Sequence, residues 1–196
     1  MAEEACEIEI NILGEPIGKQ DQYSAAYGGI NYFKFNKDET VDISPIELNV
    51  ATQKKLRDSL CLYYVSGERR AGDILCEQKN NMANAEKLET LKKMIFLTDK
   101  LRQALINQDV SSLGGILHEG WLYKRELAQG ISNSRIDALY DKFINAGASG
   151  GKLLGAGGGG FLLICSNNHN YLKETFKIKT LSFAIDRGGT EIIFQE

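Results

Sequence analysis

The stretch GASGGKLLGAGGGGFLLI, residues 147–164, is the most specific feature of the sequence. The 196-residue chain contains 20 glycines, and eight of them lie between Gly147 and Gly160. Glycine accepts positive φ freely and lets a backbone approach another group without interference from a Cβ atom. A flexible linker would be polar, whereas these glycines lie between two leucines and the apolar sequence FLLI. We therefore expect a tight loop packed against another backbone or a phosphate, followed by a strand at residues 160–165.

This stretch does not match the common nucleotide-binding fingerprints. No Lys-Ser or Lys-Thr pair follows the glycines, which excludes a Walker loop, and no dinucleotide-binding fingerprint frames them. Lys152 lies inside the stretch, but the sequence assigns it no contact.

The region before the glycine stretch predicts one buried strand followed by helices. Residues 60–66 are apolar and aromatic, as in a buried strand. Helical spacing of apolar residues follows at 67–109, with a break near Asn80 and Asn81, and again at 111–128 and 134–145.

After the glycine stretch we expect a helix at 169–176 and two strands at 181–186 and 190–194, joined by a turn at Gly188 and Gly189. From residue 60 onward, this order predicts an α+β fold in which helices cover one face of antiparallel strands.

The first 46 residues predict a helix, a short helix and a hairpin. In residues 1–13, Ala5, Ile8 and Ile12 form one helical stripe. Asp21 is a suitable N-cap for the short helix, and the sequences INYFKF and TVDISPI predict the two strands. An amphipathic helix at this position needs a packing partner. We expect it to leave an apolar face exposed, which would drive dimerisation, association with a missing partner or poor solubility.

Composition excludes several classes of protein. The formal net charge is −3 and there is no basic block, which argues against a dedicated binder of nucleic acid or anionic membranes. The longest apolar run, about residues 161–165, is too short to cross a bilayer. The four cysteines are widely spread and lack metal-ligand spacing. No signal peptide is evident, so we expect a cytoplasmic protein with free thiols.

The sequence GKQDQY, residues 18–23, contains a candidate catalytic carboxylate. Asp21 lies beside Lys19 and near a helix start, where a cation and the helix dipole can keep the carboxylate ionised. Gly18 and the polar Gln20 keep the backbone open, as in a cleft. A simple N-cap role for Asp21 remains the alternative.

Other residues allow a functional and a structural interpretation. Arg69 and Arg70 follow the strand at 60–66 and could bind a phosphate or form a solvated surface pair. We expect His118 and His169 at the surface and Trp121 in the core or an interface, since no ligand spacing surrounds them.

Together, Asp21 within GEPIGKQDQYSAAYGG and the later glycine stretch resemble the GHMP kinase superfamily, which includes galactose, homoserine, mevalonate and phosphomevalonate kinases. The strings LCLYYVSGERRAGDIL, ISNSRIDALY and TEIIF are most similar to the branch of heptose 7-phosphate kinases and related sugar kinases. The resemblance covers essentially the whole chain, with two separated motifs in the expected order and spacing.

The resemblance implies an α+β fold with two domains. Residues 1–50 would be part of a ribosomal-S5-like N-terminal domain that carries the aspartate loop. Residues 51–196 would form the ferredoxin-like C-terminal domain.

The resemblance also implies an activity, the transfer of a phosphoryl group from ATP, with Mg²⁺, to a hydroxyl of a sugar or sugar phosphate. Asp21 would be the catalytic base, Gly18, Lys19 and Gln20 would contact the substrate, and Arg69 would bind a substrate phosphate. No residue is expected to ligate a metal directly. The residues expected to shape the substrate and nucleotide-phosphate site are Gly155, Gly157, Gly158, Gly159 and Gly160.

The sequence departs from the family pattern in one respect. The first family motif and the second, a PxxxGLGSSSA-type loop that holds the ATP phosphates, have no counterpart here. We therefore expect the C-terminal portion of such a kinase, with the N-terminal portion elsewhere. A non-catalytic fragment, subunit or binding module with the same fold is the alternative.

Overall fold

The computed structural model describes residues 1–65 and 71–194. Two compact units emerge, one formed by Met1–Glu47 with the described residues from 184 onward, the other by Leu48–Phe183. We refer to them as the first and second units. The assignment of residues 1–50 and 51–196 to two kinase domains stays a prediction.

Helices and one hairpin make up the first unit. Helix α1 (Ala2–Cys6) continues as a π-helical segment (Glu7–Ile12), and helix α2 (Gln20–Tyr27) follows. Strands β1 (Asn31–Phe35) and β2 (Val41–Pro45) pair antiparallel, which confirms the predicted hairpin.

The core of the first unit is small. Ala2, Cys6 and Tyr23 are the buried residues of its hydrophobic cluster. Ile8 and Ile12 are 52% and 70% exposed, so the predicted stripe is not the packed face. In the π-helical segment hydrogen bonds join residues i and i+5, and the 3.6-residue period of the prediction no longer applies. The unit does leave apolar side chains exposed, as expected.

The strands predicted at 181–186 and 190–194 are wrong. Within the described residues, only Thr180–Leu181 of this region is a strand. The segment from 184 onward bonds instead to the end of α2, where the Gly29 amide donates to the Asp186 carbonyl at 2.6 Å and the Thr190 amide to that of Ala26 at 3.3 Å. Gly28 and Gly189 approach so closely that a Cβ atom on either would overlap the other's backbone.

A four-stranded antiparallel sheet organises the second unit. Its strands are β3 (Leu60–Tyr64), β4 (Gly150–Leu153), β5 (Phe161–Cys165) and β6 (Thr180–Leu181), in the spatial order β4-β5-β3-β6. The predicted α+β class with antiparallel strands is confirmed. With helices between β3 and β4 and between β5 and β6, the order is that of a ferredoxin-like β-α-β-β-α-β unit.

Residues 150–153, predicted as part of the glycine loop, form strand β4. Gly151 lies opposite Ile164 of β5, and Leu153 lies opposite Leu162. A Cβ atom at Gly151 would contact Ile164 and the Leu163 carbonyl, so glycine here permits close pairing of the two strands.

The helices of the second unit cover its core. The fully buried side chains with the largest volumes include Trp121, Tyr63, Tyr140 and Phe143. No helix in the described residues is long and apolar enough to span a membrane. The helices are α3 (Val50–Ser59), α4 (Ala71–Asn81), α5 (Ala85–Ile106), α6 (Leu113–Leu127), α7 (Ser134–Asn145) and α8 (His169–Phe176).

Candidate functional site

The glycine-rich loop connects β4 to β5 and has the backbone conformation expected of a tight loop. Gly155, Gly157, Gly158 and Gly160 have φ values of 68°, 126°, 78° and 98°. Side chains other than that of glycine strongly disfavour these conformations, so the loop requires this residue type at several positions.

The loop packs against another backbone, as predicted. A Cβ atom at Gly157 would lie 2.6 Å from the Cα of Ile131, which is fully buried. The Gly158 amide donates to the Ile131 carbonyl at 3.0 Å. The Gly158 N–H is therefore not free for a phosphate. The amides of Gly157 and Gly159, by contrast, have no acceptor among the described residues.

Polar side chains on α6 and α7 hold β4 in place. The Tyr140 hydroxyl lies 3.3 Å from the carbonyl oxygen of Gly151, to which it donates, and 2.8 Å from Nδ1 of His118. This contact leaves His118 half-buried, whereas the sequence predicts a surface position for it. Gly150 comes so close to the Gly114 carbonyl that a Cβ atom would overlap it. The strand that enters the glycine loop is therefore fixed on α6.

Two lysines lie next to the loop. Lys124 of α6 donates from Nζ to the Gly155 carbonyl, and Lys152 lies in β4. Burial lowers the pKa of the Lys152 ammonium. Burial, together with the nearby charge of Lys152, lowers the pKa of Lys124 to about 8. Sequence reasoning did not assign Lys124, since nothing in a helical pattern shows that its side chain reaches a loop 31 residues away.

The first unit places Gly18, Lys19, Gln20 and Asp21 together at the start of α2. Asp21 is not the N-cap, because that position belongs to Lys19 and Asp21 lies inside the first turn. Its carboxylate is exposed and close to the positive end of the helix dipole. The ammonium of Lys19 lies 3.9 Å from Glu39. Lys19 therefore approaches the Glu39 carboxylate. It does not form the predicted ion pair with Asp21.

His169 has a structural role. Its Nε2 lies 2.9 Å from the Ser59 carbonyl, which can only accept, so Nδ1 accepts from the Tyr63 hydroxyl at 3.2 Å. Burial lowers the pKa of His169, which favours this neutral ring. The surface position predicted for it is wrong, because α8 places it against β3.

Two further predictions concern Arg69 and metal ligands. Arg69 lies outside the described residues. Within residues 1–65 and 71–194, no group of three or more His, Cys, Asp or Glu side chains could hold a metal ion.

Comparison with known proteins gives this architecture a family. Residues 101–174 match the family model described as GHMP kinases C terminal. The chain is 32% identical over 162 residues to D-glycero-alpha-D-manno-heptose 7-phosphate kinase of Campylobacter jejuni, covering 83% of this chain and 48% of that protein. It is 29% identical over 167 residues to the bifunctional fucokinase/GDP-fucose pyrophosphorylase of Arabidopsis thaliana, covering 83% of this chain and 16% of that one.

A solved structure agrees with the sequence comparisons. The crystal structure of a D-glycero-D-manno-heptose 1-phosphate kinase from Bacteriodes thetaiotaomicron superposes with a TM-score of 0.69 at 26% identity. The match covers 95% of this chain and 52% of that one, so the chain spans about half the length of these heptose kinases. On the glycine loop, the ferredoxin-like sheet and these matches, the chain contains a GHMP kinase C-terminal domain and is similar to heptose phosphate kinases.

Proposed function

We propose that this chain is part of an ATP-dependent kinase that phosphorylates a hydroxyl group of a sugar or sugar phosphate, of the heptose phosphate class, in the cytoplasm. The observation that carries the proposal is the glycine-rich loop, which is fixed against Ile131 and lies in a chain 32% identical to a heptose phosphate kinase.

Phosphoryl transfer depends on alignment and on neutralisation of charge more than on covalent chemistry by the protein. ATP supplies the phosphoryl group, and its bound Mg²⁺ neutralises phosphate charge. Such a Mg²⁺ would keep several waters and need only one or two carboxylates of the protein. The free amides of Gly157 and Gly159 would donate to phosphate oxygens.

Asp21 would accept the proton of the attacking hydroxyl. Its exposed carboxylate at the start of α2 is open to a substrate, and Gly18, Lys19 and Gln20 beside it would contact that substrate. On the family resemblance alone, Arg69 would be one of the residues that bind a phosphate of the substrate.

The test is the substitution Asp21→Asn, which keeps the shape of the side chain but removes the proton acceptor. We expect kcat to fall by about 10²–10⁴-fold, with little change in KM. The assay measures ADP release with sugars and sugar phosphates, using the chain joined to an N-terminal segment that carries a phosphate loop. The matched control is Asp38→Asn in the β1–β2 turn, which should keep full activity. Retention of more than a tenth of kcat by Asp21→Asn would remove Asp21 from the base role.

A second candidate is a non-catalytic subunit or binding module of a GHMP-type kinase. The 196 residues contain no loop like PxxxGLGSSSA, and this observation favours the module for the chain alone. The exposed Ile8, Ile12 and Leu13 favour association with a second copy or with an N-terminal segment. We expect the 196-residue chain to associate in sedimentation experiments and to show little ATP turnover. A monomer that binds ATP with micromolar affinity and phosphorylates a sugar would contradict the module.

A further inference from the structure

A small cavity of about 140 Å³ lies between α5, α6 and β4 in the second unit. Sites for drug-sized ligands usually measure about 300–1,000 Å³, so this cavity fits one small chemical group rather than a whole nucleotide. Most of the lining residues are apolar, and two are lysines. The apolar lining includes Met94, Leu97, Leu101, Ile116, Leu117 and Trp121, and the charged lining consists of Lys124 and Lys152.

Within residues 1–65 and 71–194, the two ammonium groups lack a carboxylate partner. Among the described residues, neither Lys124 nor Lys152 has a carboxylate oxygen within 4.0 Å. Burial of like charges without a partner costs free energy, and proteins usually compensate such charges with an acid or a bound anion. Lys124 uses one donor on the Gly155 carbonyl and keeps two further N–H bonds.

Trp121, one of the residues that line the same cavity, carries a third donor. Trp121 is fully buried, and its indole N–H has no hydrogen-bond acceptor among the described residues. Buried donors in folded proteins are nearly always paired, so an unpaired one beside a cavity indicates a missing acceptor. Two lysines without a carboxylate partner among the described residues, next to a residue with an unpaired N–H, suit an anion with several oxygen atoms.

We infer that Lys124, Lys152 and the indole N–H of Trp121 bind the phosphate group of a small phosphorylated ligand. The apolar wall would contact carbon atoms beside that phosphate. The identity of the ligand as a phosphorylated sugar rests on the proposed function. The site would make the substrate one that already carries a phosphate.

Trp121 makes the inference measurable, because it is the only tryptophan in the chain. The full chain is titrated with inorganic phosphate, a hexose phosphate, the unphosphorylated hexose and ATP while tryptophan fluorescence is recorded. We expect a saturable change with inorganic phosphate and with the hexose phosphate, and none with the hexose. A response confined to ATP, or no saturable response, overturns the inference.

Matched variants separate the site from general effects of charge. Lys124→Met or Lys152→Met should weaken binding of the hexose phosphate roughly tenfold or more, since each removes a charge-assisted contact. Lys142→Met, on the exposed side of α7, should leave binding unchanged. Circular dichroism verifies that each variant is folded. Equal weakening in all three variants overturns the inference.

Trp121→Phe removes the N–H but keeps an aromatic ring, and calorimetry replaces fluorescence for this variant. Weaker phosphate binding is expected, and unchanged affinity would exclude the indole from the site. Because binding is measured without turnover, an inactive chain would count against the proposed function and not against this site. Kinase activity with an unchanged KM in both lysine variants would count against this site and not against the proposed function.

Discussion

The two units of this chain are held together in different ways. The second unit has one core cluster of 16 buried residues that spans the sheet and its helices, whereas the buried cluster of the first contains three. Around Tyr23, the first unit relies on exposed or partly buried rings, with centroid distances of 6.2 Å to Tyr27, 6.0 Å to Phe33 and 5.7 Å to Phe35. The candidate proton acceptor therefore lies in the less deeply packed unit, and the glycine loop lies in the well-packed one.

The largest expected effect breaks the core of the second unit alone. Phe143 is fully buried, with ring centroids 4.6 Å from Tyr63 and 4.8 Å from Phe176. Phe143→Ala should lower the free energy of unfolding of this unit by about 3–5 kcal/mol, because a cavity replaces the ring. Hydrogen exchange resolved by segment measures this, with faster exchange expected in β3 and β5 and no change in α2.

Tyr23→Ala is the counterpart in the first unit and should accelerate exchange in α2 and the hairpin only. Loss of protection in both units from either substitution would mean that they unfold together and that their cores do not act separately.

A smaller effect distinguishes two neighbouring glycines of α6. A Cβ atom at Gly114 would overlap the Ser149 side chain, whereas Gly115 has open space around it. Gly114→Ala should destabilise the second unit by about 1–3 kcal/mol through overpacking. Gly115→Ala should stabilise it by up to about 1 kcal/mol, because alanine favours the helix. Thermal unfolding of the two variants gives the comparison, and equal melting temperatures would contradict close packing of α6 on β4.

A further expected effect is a pH dependence located in the second unit. The pKa of Lys124 is about 8 in the folded chain against an ordinary value of 10.5. As pH rises from 8 to 10.5 the folded state has lost this proton and the unfolded state still holds it, so stability increases over that window. Below pH 8 both states are protonated and the contribution is constant. Lys124→Met should flatten the rise in urea titrations, and an unchanged slope would show that the ammonium is solvated.

Helices with a strong apolar period could be predicted from the sequence. Residues 134–145 were predicted as a helix and form α7 with the same bounds, because Ile136, Tyr140 and Phe143 lie on one buried face and Asn133 caps the first turn. The hairpin and strand β5 were predicted for the same reason, a clear local pattern of burial.

Elements without such a pattern could not be predicted. Helix α3 was missed because Thr52 and Leu56 are its only buried side chains, although Asn49 offered a cap signal by accepting from the Thr52 amide. The predicted terminal strand contains Ile192 and Ile193, which are 72% and 96% exposed. Residues with high strand propensity do not form a strand without a partner to pair with.

The site was predictable in its backbone and not in its side chains. Glycine composition alone predicted a loop packed on another backbone, because the conformational requirement is local. Three contacts depend on segments distant in sequence. They are the packing of the loop on Ile131, the hydrogen bond from Lys124 to the loop and the ion pair of Lys19 with Glu39. Such contacts require the tertiary structure.

The close approach of Gly28 and Gly189 has a consequence for the order in which the protein forms. The first unit is discontinuous, since its second segment begins at residue 184 and is synthesised after the whole of Leu48–Phe183. On the ribosome the second unit can complete its fold first, while α2 and the hairpin wait for the segment that bonds to Gly29 and Ala26. The helix that carries Asp21 can therefore complete its contacts only after residues 186–190 have been synthesised.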